Sequence, residues 1–167
     1  MLFIQRIFLS VLMLIIFSTA FSQTNNTSNI IIVRHAEKDT GNNPALTEAG
    51  MKRAQKLSSL FAGMKPDEIY STPYVRTRQT VTPWAKEIAV EITEYNPKDM
   101  VQFVEYLQGL KGKTVLIAGH SNTNPQLVNL LINEEKYKNL DDMDYETIFI
   151  ITIKNGVGKA KVMKDKN

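Results

Sequence analysis

The chain has two histidines, and each closes a run of β-branched and aliphatic residues: Ile30-Ile31-Ile32-Val33-Arg34-His35 and Thr114-Val115-Leu116-Ile117-Ala118-Gly119-His120. Such runs read as buried parallel strands. Open α/β sheets place their chemistry in the loops beyond the carboxyl ends of those strands. A neutral imidazole nitrogen, held in place, is a nucleophile near neutral pH. Arg34 stands beside the first histidine, and Ser71-Thr72-Pro73-Tyr74-Val75-Arg76-Thr77-Arg78-Gln79-Thr80 lies between the two. A guanidinium is a planar donor fork that matches two phosphate oxygens. Cysteine is absent, and no His-Glu-x-x-His or similar ligand spacing occurs. Arginines flanking the histidines would repel a divalent cation, so the sequence predicts no metal and no cofactor.

The elements that must position these residues follow from periodicity and punctuation. The first strand is Ile30 to Arg34. Thr47 reads as the N-cap of a helix carrying Met51, Ala54, Leu57 and Phe61, with Leu46 and Met51 as a hydrophobic staple and Gly63 as the stop. Glu68 to Ser71 reads as a short strand. The helix after it brings Arg76, Thr77 and Thr80 together, because residues three and four apart are helical neighbours. Pro83 is expected to break or restart that helix.

Val90 to Tyr95 reads as a third strand. Asp99 then caps a helix with Met100, Phe103, Val104, Leu107 and Leu110 on one stripe. After Thr114 to Ala118, Asn124-Pro125 suits an N-cap and first turn, with Leu127, Leu130 and Leu131 inward. Glu134 to Tyr145 reads as a solvated, charged connector. Thr147 to Ile153 and Lys159 to Met163 form a hairpin about Asn155-Gly156. Strands alternating with helices predict a layered α/β fold.

Residues 1–22 read as a secretory signal peptide: Arg6 is the positive n-region, Ile7 to Phe17 the apolar core, and Ala20-Phe21-Ser22 the small-residue site before Gln23. Residues 23–29 are polar and read as a flexible leader, and 30–167 as one domain. The remainder, about 145 residues, suffices for a single core. The formal net charge is +3, one less without Arg6. The basic residues are scattered among acids, which argues against nucleic acid as a partner. Nor does a basic amphipathic stripe remain to hold the mature chain on a membrane. Export to the periplasm or the medium is expected.

Arg34-His35, Leu46-Thr47-Glu48-Ala49-Gly50, Ser71 through Thr80 and Gly119-His120, in this order, resemble the histidine phosphatase (phosphoglycerate mutase-like) superfamily. The compact length and Gly119-His120-Ser121-Asn122 look most like the short phosphohistidine phosphatases. The resemblance implies a three-layer α/β/α fold with a mostly parallel central sheet. It implies a phosphatase acting on a small phosphorylated substrate through a phosphohistidine on His35, with Arg34 and Arg76 as phosphate clamps. His120 would donate to the phosphoryl group, best as a cation, so its pKa is expected to be raised. Asn122 is a further candidate for substrate binding. For the proton owed to the leaving oxygen, Glu94 is the first choice and Glu37 the second. Arg78 is expected to be exposed. Two other readings stand beside this one: a non-catalytic phosphate-binding module, and a phosphoglycerate mutase-type phosphotransferase, for which the chain lacks the extra closing segments. An acid poised in the pocket would favour turnover over mere binding.

Overall fold

A computed structural model describes residues 26–61 and 63–165. The expected signal peptide and the first residues of the leader lie outside the described residues. The strands are β1 (Thr27–Arg34), β2 (Glu68–Ser71), β3 (Ile92–Glu94), β4 (Thr114–Gly119), β5 (Thr147–Lys154) and β6 (Val157–Lys164). The helices are α1 (Glu48–Leu60), α2 (Val75–Ile88), α3 (Met100–Gly109) and α4 (Thr123–Ile132). One sheet runs in the order β3-β2-β4-β1-β5-β6. The first four strands are mutually parallel, and β5 and β6 are antiparallel additions.

Alternation along β1 sends side chains into two cores. Ile30 and Ile32 join Val104 and Leu107 of α3 and Leu127 and Leu131 of α4. Ile31 and Val33 join Leu57 of α1 and Val81 and Trp84 of α2. Both faces of the sheet are thus covered by helices, which gives the expected three layers and explains the unbroken apolar runs Ile30 to Val33 in β1 and Val115 to Ala118 in β4.

Several local expectations shift. β1 starts at Thr27, inside the expected leader, because Thr27, Ser28 and Asn29 pair with Lys154, Ile153 and Thr152 of β5. β3 spans three residues of the six expected. The backbone runs helically through Pro83. Proline inside a helix costs ~3 kcal/mol, and the buried neighbours Val81, Trp84 and Ala85 hold α2 together across it. Met51 and Leu130, expected inward, are exposed. Asn124 does not cap α4; it is buried within its first turn.

The charged connector is held down rather than solvated throughout. The Asn129 amide donates to the carbonyl of Tyr137 (2.9 Å) and accepts from the backbone N–H of Tyr137 (2.9 Å) and Lys136 (3.2 Å). The Leu140 N–H donates to the Ser121 carbonyl. By contrast Thr47 caps α1 as expected, accepting from the Gly50 N–H. Asn155 and Gly156 have positive φ, as a tight hairpin turn requires.

Candidate active site

The carboxyl ends of β1, β4 and β2 finish side by side. Arg34 is in register with Gly119, and Ser71 with Ala118. The ladder continues one bond further, from the His35 N–H to the Gly119 carbonyl at 2.9 Å. The two histidines therefore meet: their ring centroids are 5.5 Å apart. A Cβ at position 119 would collide with the Asn124 side chain and lie 3.0 Å from the Tyr95 hydroxyl, so glycine is required where the two strand ends converge.

His35 is nearly fully buried. Its Nδ1 lies 2.8 Å from the carbonyl oxygen of Ala36. A carbonyl can only accept, so Nδ1 carries the proton and Nε2 keeps its lone pair. Ala36 is fixed in turn: its N–H donates to Thr80 Oγ1, which donates to the Arg76 carbonyl. Burial, followed by the charges of Arg34, Arg76 and Lys38, lowers the His35 pKa from 6.5 to about 4, against the opposing pull of the Ala36 bond. The ring is neutral at physiological pH.

His120 is held by Thr72 and Arg76. Its Nε2 is 2.9 Å from Thr72 Oγ1, and its Nδ1 is 3.4 Å from Arg76 Nη2. Guanidinium nitrogens only donate, so Nδ1 accepts and Nε2–H donates to Thr72. The expectation of a raised pKa is corrected here. Burial, then Arg76, His35 and Arg34, lowers it from 6.5 to about 3. Beside two guanidinium groups a third positive charge is disfavoured.

Arg34 ends β1, and its Nη1 donates to the carbonyls of Asp141 (2.9 Å) and Asp144 (3.1 Å). Arg76 sits in the first turn of α2, its pKa lowered by burial and by Arg34. In both residues the Nε atom is buried without a hydrogen-bond partner. Unpaired buried donors are costly, and the charges of both guanidinium groups act on the two histidines; such a cluster of cations and imidazoles suits an oxyanion.

The candidate acids stand differently. Glu94 accepts from Arg78 Nη1 at 2.8 Å, in an ion pair whose side chains are half exposed. Arg78 faces outward, as expected. Glu37 receives Arg53 Nε on both carboxylate oxygens and Arg53 Nη2 on one, and Arg53 also pairs with Asp165. Burial pulls the Glu37 pKa up, but the Arg53 hydrogen bonds and charge outweigh it and hold it below the usual range. Both carboxylates are thus bound to arginines other than Arg34 and Arg76. Asn122 is exposed at the N-cap position of α4, and its side chain makes no capping hydrogen bond.

Sequence reasoning assigned no role to Thr72, Tyr74 or Tyr145. Tyr74 packs edge-on against His120 (5.0 Å between centroids) and lies 4.6 Å from the Arg76 guanidinium. Tyr145 lies 6.0 Å from the His35 ring and 4.4 Å from the Arg34 guanidinium. Tyr74 stands inside a segment already singled out, next to Arg76. Tyr145 had no local signal, because long-range contacts place it.

The architecture is the phosphoglycerate mutase-like α/β/α one. A phosphoglycerate mutase from Plasmodium falciparum superposes with a TM-score of 0.57 at 17% identity, covering 84% of this chain and 91% of that one. A candidate alpha-ribazole-5'-P phosphatase from Escherichia coli gives 0.68 at 14%, covering 83% and 96%. A candidate phosphohistidine phosphatase from Agrobacterium tumefaciens gives 0.61 at 16%, covering 83% and 98%. Residues 30–96 match the model of the histidine phosphatase superfamily (branch 1), a span holding Arg34, His35, Arg76 and Glu94. Over that segment the chain is similar to the histidine phosphatase superfamily, and the solved structures share its fold. A search of curated proteins by sequence gave no match.

Proposed function

We propose that the protein is a metal-independent phosphatase that passes a phosphoryl group through His35 Nε2. The observation that carries this reading is the neutral Nε2 of His35, paired with His120 and set among the guanidinium charges of Arg34 and Arg76. The Nε2 lone pair forms the P–N bond as the bond to the leaving oxygen breaks, and that oxygen takes the electron pair. Water then attacks phosphorus, the P–N bond returns its pair to the imidazole, and phosphate departs. The two guanidinium groups bear the charge that spreads over the equatorial oxygens during each transfer. The arriving anion offsets the repulsion on His120 and draws Arg76 Nη2 off its Nδ1, which then takes up a proton and becomes a further donor.

The substrate is a small phosphorylated molecule. The N-terminal pattern of Arg6, an apolar run and a small-residue site supports action outside the cytosol. A second reading, phosphate binding without turnover, draws support from the ion pairs that occupy Glu94 and Glu37.

The deciding experiment is hydrolysis of p-nitrophenyl phosphate in EDTA by the wild type and His35→Ala, with acid-labile phosphate on the wild-type protein sought by rapid quench. Turnover that survives EDTA and is lost with His35, together with trapped phosphohistidine, is expected. Turnover that persists in His35→Ala would overturn the reading. Tight vanadate binding with no turnover would favour the second one.

A further inference from the structure

Four aromatic rings stand in a row across the site: Tyr145, His35, His120 and Tyr74, with neighbouring centroids 6.0, 5.5 and 5.0 Å apart. Each tyrosine is also stacked with the guanidinium of one clamp arginine, Tyr145 with Arg34 and Tyr74 with Arg76. Such contacts hold a ring in one orientation. Tyr145 is fixed further because its segment is tied to Arg34 through the carbonyls of Asp141 and Asp144. Neither ring serves the core. Tyr74 is 38% exposed, and Tyr145 is half-buried. Two rigid aromatic walls at the rim of an anion site recognise a flat, apolar group at low entropic cost.

A second line of argument converges on the same ligand. Glu94 and Glu37 are both engaged by other arginines. A leaving group that needs no proton suits such a site best. A phenol, with a pKa near ~10, departs as its anion far more readily than an ordinary aliphatic alcohol.

We propose that Tyr74 and Tyr145 are specificity-determining residues that select aryl phosphates, in which the phosphoryl group is borne by a planar aromatic ring. This rests on the phosphatase reading above. Ring recognition is separable from leaving-group acidity with two non-hydrolysable probes of similar size, phenylphosphonate and cyclohexylphosphonate. Titration calorimetry on the wild type is expected to give about tenfold tighter binding of the flat ring. Tyr74→Leu and Tyr145→Leu bring the two probes to near parity, whereas Tyr74→Phe and Tyr145→Phe keep the preference. Should Tyr145→Leu unfold, the Tyr74 pair decides.

In turnover, phenyl phosphate is expected to exceed hexafluoroisopropyl phosphate, whose alcohol is similarly acidic, in kcat/KM. Comparing free phosphotyrosine with a phosphotyrosine peptide then shows whether the ring is presented by a small molecule or by a polypeptide. Equal affinity for the two phosphonates, or a preference unchanged in both leucine variants, overturns aromatic selection while leaving the phosphatase intact. Loss of phosphate and vanadate binding altogether, or full p-nitrophenyl phosphate turnover by His35→Ala, overturns the reading of the site itself.

Discussion

At the scale of residues, the site is an arrangement of charges in which two guanidinium groups disfavour one more proton on the imidazoles. His120 is neutral because burial and two guanidinium groups make it so. A phosphate dianion reverses the sign of that field, and the imidazole pKa must then rise. Phosphate or vanadate binding at pH 7 is therefore expected to take up a fraction of a proton or more. Calorimetry in buffers of different ionisation enthalpy measures this; an enthalpy independent of buffer would contradict it. Glu94 gives a second expectation. Its bond to Arg78 is half exposed, and such pairs are worth roughly 0–1 kcal/mol. Glu94→Gln is expected to leave kcat for an alkyl phosphate such as phosphoserine within about threefold of wild type, whereas removal of a poised general acid costs about 10²-fold or more with such a leaving group. A large fall in kcat would restore Glu94 as the acid.

Elements differ in how far a sequence reveals them. Strand ends bearing His35 and His120, the Thr47 cap and the Asn155-Gly156 turn were legible because each is a short-range pattern with a local cause. The ties of the connector were not, since Asn129 reaches it from α4 by side-chain hydrogen bonds that no periodicity encodes. The partners of Glu94 and Glu37 were hidden for the same reason: a carboxylate at a strand end looks alike whether it faces a pocket or an arginine. Pro83 misled because its local cost is outweighed by burial on either side.

The junction of α1 with the loop after His35 offers an element-scale test. A Cβ at Gly50 would collide with the Glu37 carbonyl oxygen, which also accepts from the Thr47 N–H. Gly50→Ala must push helix and loop apart, so a loss of roughly 1–3 kcal/mol in stability is expected, with a fall in kcat as His35 shifts. Urea unfolding and p-nitrophenyl phosphate turnover check both, and an unchanged midpoint would show that the junction gives way freely.

Across the whole molecule, burying two neutral histidines links stability to pH. Folding lowers both pKa values from 6.5, to about 4 for His35 and about 3 for His120. Below pH 6.5 the unfolded chain binds protons that the folded chain refuses. Their contribution is thus fully present above pH 6.5 and is lost as the pH falls toward 4. Each histidine erodes stability by about 1.4 kcal/mol per pH unit in that interval. Denaturant midpoints measured between pH 7 and 4.5 are expected to fall, and His120→Asn to flatten the decline. A midpoint that holds steady over this range would mean the rings are protonated in the folded protein.

The bonds from Arg34 to Asp141 and Asp144 reach across 107 and 110 positions of sequence. Contacts of such span close large loops and form slowly in folding. The pairing of α1 with α2, which buries Trp84 against Phe61, is far more local. A newly made or refolding chain is therefore expected to pair α1 with α2 before it sets the arginine anchor. On that order the anion site matures late, and a partly folded chain meets phosphorylated molecules without a complete clamp for them.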